Sequence, residues 1–142
     1  MIKSKINKNN LYKKKSKKKC LNPKTENISI FKQICINNKI LAEPKFYGKY
    51  TNEPYVSGKI NGIYICPCCK NILYSSKHAF SSNTGWPAFS NTFNKKTSII
   101  YNKKTKELIC KKCKLHLGHR FINKHKIHDC INSVCLHFIP IK

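Results

Sequence analysis

Two short repeats constrain this chain more than anything else in it: Cys66-Pro-Cys-Cys69 and Cys110-Lys-Lys-Cys113, each a pair of cysteines with two residues between them. That gap lets both sulfurs of a tight knuckle point at one tetrahedral ion, at about 2.3 Å for zinc, and two knuckles complete the tetrahedron. Structural Zn2+ held by Cys66, Cys69, Cys110 and Cys113 is therefore the expected cofactor. Two disulfides or redox-active CxxC motifs have the same spacing, but an identical pair of knuckles favours metal. Residues 70–109 lie between them, more than the spacer of an ordinary zinc ribbon, so the ion must clip a sizeable insertion.

The rest of the composition narrows the class. A chain of 142 residues is one domain, and a body this small gains from a metal cross-link. Nine cysteines would suit a secreted disulfide scaffold, but the count is odd and the knuckles use four. With no apolar run long enough for a signal peptide or a membrane span, the reading is a reducing, intracellular compartment and no membrane partner.

The formal charge of +24 invites a nucleic-acid reading. Yet only Arg120 among the 29 basic residues is an arginine, whereas phosphate and base recognition favours the guanidinium fork. The excess is lysine, accompanied by Asn and Ile, which suggests biased codon usage, and no specific nucleic-acid partner is expected. Residues 1–24 contain no acid and carry a lysine run from Lys13 to Lys19 broken only by Ser16. They read either as a solvated basic tail or as an organelle presequence, plastid or mitochondrial; the alternative address is the cytoplasm. Residues 25–142 form the folded domain in this reading.

Along that domain, Ile28, Phe31, Ile34 and Cys35 follow helical spacing and predict one short helix over Ile28–Ile36. From Ile60 onward the signals turn to strands. Gly62–Ile65 leads into the first knuckle, and Thr97–Tyr101 pairs with Lys106–Ile109 as a hairpin feeding the second. A last strand is expected over Ile131–Ile139, with Asn132, Val134, Leu136 and Phe138 on one side. The architecture is mainly antiparallel β with zinc at one end.

Four groups outside the knuckles carry chemical interest: Cys130-Ile-Asn-Ser133, His116-Leu-Gly-His119, Gly85-Trp-Pro-Ala-Phe89 and Cys135. A cysteine with histidines elsewhere in an intracellular chain is a candidate nucleophile, because the thiolate attacks and imidazoles supply protons. Singly, each piece has a plainer reading: a surface histidine, a core tryptophan, a buried small hydrophobe.

Their joint order resembles the B-type methionine sulfoxide reductases over roughly Ile30 to Phe138. The matching stretches run from Glu43-Pro, Gly48-Lys-Tyr50 and Gly62-Ile-Tyr64 through the first knuckle, Leu73-Tyr-Ser-Ser76, Phe80 and Gly85-Trp-Pro-Ala-Phe89. They continue through the second knuckle, His116-Leu-Gly-His119 with Phe121, and Cys130-Ile-Asn-Ser133 with Leu136 and Phe138. The resemblance implies two small antiparallel sheets packed around the active site, a short N-terminal helix and the zinc site. It implies that Cys130 attacks the sulfur of methionine (R)-sulfoxide, free or in proteins, releases methionine and is left as a sulfenic acid. His116 and His119 match the proton donors and Asn132 a pocket residue; Trp86 matches the indole against the substrate methyl, and Phe121 falls among the substrate-binding positions. The implied role is repair of oxidative damage, with a thioredoxin-like or other thiol reductant, by a monomer.

Two departures stand out. Many relatives carry a resolving cysteine just before Gly-Trp-Pro, where this chain has Thr84. Either another thiol resolves the sulfenic acid, with Cys35 and Cys135 ranked ahead of Cys20 and Cys68, or an external reductant acts directly. The approach to Cys130 is also short, Asn123 to Asp129, with His128 where the family's arginine is expected and Asp129 beside the thiol. The carboxylate would disfavour a thiolate and a cationic His128 would favour it, leaving the sign open. Two other readings stay in view: a basic zinc ribbon that binds nucleic acid, and a degenerate homologue serving as a redox sensor.

Overall fold

The computed structural model describes Cys20, residues 22–39 and residues 42–142. The lysine run of the N-terminal stretch therefore lies outside the described residues. Just before residue 25 the chain is anchored: Cys20 is disulfide-bonded to Cys68, and the Lys24 amide donates to the Pro67 carbonyl at 3.1 Å.

Asn27 caps the expected helix, its side-chain oxygen accepting from the Ile30 amide. α1, Ile28–Phe31, continues as a π-helical turn over Lys32–Ile36. Phe31, Ile34, Cys35 and Ile36 face the core.

Two antiparallel sheets follow. Strands β1 (Gly62–Ile65), β2 (Ile72–Ser75) and β8 (His137–Pro140) form the smaller, in the order β2-β1-β8. The larger runs β3-β7-β6-β5-β4, built from Ala88–Phe89, Lys126–Ile131, His116–Asn123, Glu107–Cys110 and Ile99–Tyr101. The core between them is aromatic, with Tyr74 stacked on Phe89 at 4.2 Å and Tyr64 edge-on to Tyr50, Phe89 and Phe138.

The hairpin before the second knuckle forms as predicted: Ile100 pairs with Ile109. The last strand does not. β7 ends at Ile131, a 3-10 turn spans Ser133–Cys135, and β8 starts only at His137. Side chains cause the break. Ser133 Oγ accepts the Tyr50 amide, a Glu43 carboxylate oxygen accepts the Val134 amide, and the Cys135 amide bonds back to the Asn132 carbonyl.

The stretch read as a shortened loop before Cys130 is a tight hairpin. Lys124 and His125 both have positive φ, 49° and 69°, the conformation that two-residue hairpin turns use, and Asn123 pairs with Lys126. Neither residue is a glycine, so nothing in the sequence marks the turn. Cys130 accordingly sits one residue before the end of β7.

Candidate active site and metal centre

Both knuckles end strands of the sheets, and they meet. The four sulfurs of Cys66, Cys69, Cys110 and Cys113 lie within 4.8 Å of one another, with Cys66 to Cys113 and Cys69 to Cys110 both at 3.5 Å. Tetrahedral ligands at about 2.3 Å from zinc stand about 3.8 Å apart, so the set fits that ion. Cys66, Cys110 and Cys113 are buried. Hydrogen bonding to the neighbouring sulfurs, Cys110 first, together with burial, pushes the Cys66 thiol up.

Beyond β5 and β6 from the knuckles lies a cavity of about 360 Å³, lined largely by apolar atoms. Trp86, His119, Phe121, Cys130 and Asn132 line it, together with Thr84, His128, Ala42, Gly118 and Ile131. Five of the six residues singled out for chemistry or substrate contact thus meet in one place. The sixth, His116, stands one layer behind.

A bulge explains how the two histidines meet. Residues three apart on a regular strand face opposite sides, yet the His116 and His119 rings are 5.5 Å apart. Leu108 pairs with Gly118 while its neighbour Ile109 pairs with His116, so β6 carries one extra residue there and the facing parity resets. Gly118 makes the close approach: a Cβ there would overlap the Cys130 carbonyl oxygen and come within 2.9 Å of Ile131 Cα.

The histidines are not equivalent. His119 lines the cavity, half-buried, and burial followed by the charge of His116 lowers its pKa. His116 is buried, with Nδ1 2.6 Å from a Glu107 carboxylate oxygen. Glu107 escaped sequence reasoning, although it pairs in register with His119 and is one of only five acids.

Asn132, buried, lines the cavity and ties its wall together. Its Oδ1 accepts the Glu43 amide at 2.8 Å and its Nδ2 donates to the Leu117 carbonyl at 3.0 Å, tying the Ala42–Glu43 segment to the sheet. Trp86 is fixed from the same segment, its Nε1 donating to the Glu43 carbonyl at 2.8 Å. Glu43 itself is buried. Desolvation pushes its pKa to about 7, against the pull of the Val134 and Ser133 amides.

Cys130 is half-buried, and desolvation raises its pKa; a hydrogen bond with Thr84 pulls the other way, and Asp129 adds to the rise. Strand alternation softens the Asp129 effect. Its carboxylate lies on the opposite face, fully buried, gripped by Arg120 through Nε at 2.7 Å and a second nitrogen at 3.1 Å, with the Tyr74 hydroxyl donating at 2.7 Å. The lone arginine of the chain thus neutralises the acid beside the thiol.

The candidate resolving thiols are placed differently from the expectation. Cys35 and Cys135 are bonded to each other in the core, joining the N-terminal helix to the 3-10 turn. Cys20 and Cys68 form the other disulfide, and neither pair lines the cavity. In this form none of the four is a free thiol. Spacing cannot reveal such pairings, because they depend on which distant segments the fold brings together.

A SelR domain model matches residues 31–140. That span takes in both knuckles and every residue that lines the cavity. The chain belongs to the family of B-type methionine sulfoxide reductases. It is 35% identical over 125 residues to the human protein "Methionine-R-sulfoxide reductase B2, mitochondrial", covering 78% of this chain and 66% of that one. It is also 35% identical over 106 residues to "Peptide methionine sulfoxide reductase MsrB" of Pseudomonas fluorescens, covering 69% of this chain and 78% of that protein. As a family member it has the fold described above, two antiparallel sheets with a four-cysteine cluster at one end. No described helix is long and apolar enough to cross a membrane.

Proposed function

We propose that this chain reduces methionine (R)-sulfoxide, free or within proteins, with Cys130 as the nucleophile. The observation that carries the reading is the cavity itself, an apolar bowl with one free thiol and two imidazoles, His119 and His128, on its wall and an indole and a phenyl ring beside them. A sulfoxide needs this combination. Trp86 and Phe121 take the methyl and the thioether stem, while the polar oxygen faces His119.

Cys130 Sγ attacks the sulfoxide sulfur. The oxygen collects a proton from His119, backed by His116 and Glu107, and methionine departs with the sulfur electron pair. Net, the thiol and the sulfoxide become a sulfenic acid and a thioether: two electrons leave the cysteine sulfur, and the oxygen changes partners. Apolar walls exclude water from the sulfur during attack, and Asn132 holds the rim that carries Trp86.

With Cys35 and Cys135 bonded to each other, the sulfenic acid is reduced by an external thiol entering through the open cavity, thioredoxin-like or small. Zinc at the knuckles fixes β5 and β6 and takes no part in the chemistry. The acid-free stretch at residues 1–19 and the mitochondrial name of the human relative support an organellar address, with the reductase domain over residues 25–142. Fusing residues 1–24 to a fluorescent protein tests the address. A diffuse cytoplasmic signal would sink it.

Turnover of the separated R and S epimers with dithiothreitol tests the activity, comparing the zinc-loaded protein with Cys130→Ser. Reduction of the R epimer alone, abolished in the variant, is the expected result. A folded wild type that reduces neither epimer overturns the reading.

A further inference from the structure

The imidazole within hydrogen-bond distance of the Cys130 sulfur is neither of the paired histidines but that of His128. Its Nε2 lies 3.2 Å from Cys130 Sγ, within reach of an S–H···N hydrogen bond. Both side chains stand on the same face of β7, two residues apart, and both line the cavity. The ring is held from two sides, edge-on to Phe80 at 5.1 Å and to Phe121 at 6.3 Å, where Phe121 is its register partner on β6. A histidine packed by two phenyl rings with one nitrogen on a thiol is built for proton exchange with that thiol.

We propose that His128 is the base that removes the Cys130 proton as the sulfur attacks, a role separate from that of the His116 and His119 pair. The proposal rests on the reductase reading for its substrate, but not for the thiol–imidazole contact. In the step, the Cys130 S–H proton moves to Nε2 of the Nδ1–H tautomer as the sulfur lone pair forms a bond to the sulfoxide sulfur. The sulfoxide oxygen is protonated from the other side of the cavity by His119. When the hydroxyl ends on the cysteine sulfur, His128 gives its proton back through solvent to the His119 side, so the net change is Cys130 thiol plus sulfoxide to Cys130 sulfenic acid plus methionine. Two separate proton stations let the thiol proton leave while the oxygen is protonated from the other side, with no imidazole having to shuttle between the two atoms.

The thiol needs such help. Burial keeps Cys130 protonated, and the hydroxyl of Thr84 offsets it only in part. The charged and titratable groups around His128 are His119 across on β6, Lys126 on its own strand face, His125 in the hairpin turn and Lys95 from the segment after β3. Asp129, the acid nearest in sequence, is on the other face and tied to Arg120. No carboxylate lines the cleft on the His128 side among the described residues, so nothing there competes with the thiol for the imidazole.

The test compares the zinc-loaded wild type with His128→Gln, His128→Arg and Lys126→Gln, reading both turnover of the R epimer with dithiothreitol and the alkylation rate of Cys130 by iodoacetamide across pH. His128→Gln is expected to lose about 10²-fold in turnover near neutral pH, and to recover as hydroxide replaces the base at higher pH. Its alkylation rate falls by about tenfold or more near neutrality, the effect of one pK unit of lost thiol activation. His128→Arg, a cation that accepts no proton, stays impaired in turnover near neutrality, while Lys126→Gln stays within about twofold of wild type in both assays. A His128→Gln loss that is the same at every pH marks a structural role and overturns the proposal, as does wild-type alkylation in that variant. If wild type reduces no sulfoxide while alkylation still depends on His128, the thiol–base contact stands and the reductase reading is what fails. Circular dichroism and zinc content of each variant separate these outcomes from misfolding.

Discussion

The two ends of the five-stranded sheet are built from different kinds of information. At one end, four sulfurs come from two knuckles whose spacing is visible in the chain, and β1 and β5 have only to deliver them to one point. At the other, the cavity takes residues from four separate segments, the 42–43 strap, 84–86, β6 and β7. Ligand geometry fixes the first. Register, one bulge and one glycine fix the second. Yet the ends share strands: Cys110 ends β5 where Glu107 begins it, and His116 opens β6 three residues after Cys113. A disturbance at the cysteine cluster therefore reaches the histidines directly, whereas a disturbance at the cavity need not reach the cluster.

Removing the metal tests that asymmetry hardest. Structural zinc contributes on the order of 10–16 kcal/mol in small domains, more than a domain's whole net stability. Chelation or Cys110→Ser should therefore unfold β5 and β6 and abolish sulfoxide turnover, with one zinc per chain in the intact protein by elemental analysis. Turnover that survives in metal-free protein would break the comparison.

Next in size is the buried ion pair under Cys130. Arg120→Ala leaves the Asp129 carboxylate buried with only the Tyr74 hydroxyl, at a cost of about 3–5 kcal/mol. Denaturant midpoints of zinc-loaded protein measure it; a loss under about 1 kcal/mol would mean that the pair is not what holds that carboxylate. Gly118→Ala follows, at about 3 kcal/mol, because the atoms it would strike are backbone and cannot step aside. The same variant should lower turnover more than stability explains, since it pushes β6 away from Cys130.

Glu43 gives a pH dependence with a definite sign. Its folded pKa, about 7, lies above the ordinary 4.5, so the folded state holds the proton more tightly. The stability this contributes is complete below about pH 4.5 and is lost as pH rises through about 7, roughly 3 kcal/mol at most. Glu43→Gln should flatten that fall in thermal melts across this range. A wild-type stability that instead rises with pH there would contradict the assignment. The smallest effect is expected at Glu107. Glu107→Gln removes the charge behind His116, lowering turnover by about tenfold and shifting its pH profile while leaving zinc content unchanged. An unaltered profile would mean that His116 does not back the proton donor.

The sequence by itself determined the four cysteines that meet in one cluster, the hairpin into the second knuckle, the N-terminal helix and the family, because each rests on local spacing or on motifs in order. It marked Cys130, His119, Trp86, Phe121 and Asn132 as a set, and they share one cavity. Only the tertiary structure decided how those residues work together. The β6 bulge turns His116 and His119 to one side, strand alternation sends Asp129 away from Cys130 and brings His128 to it, and side-chain hydrogen bonds to Asn132, Ser133 and Val134 break the expected last strand. The Cys35–Cys135 bond belongs to the same class. Parity along a strand changes with a single inserted residue, and disulfide partners depend on segments a hundred residues apart, so neither is written in any local stretch of the chain.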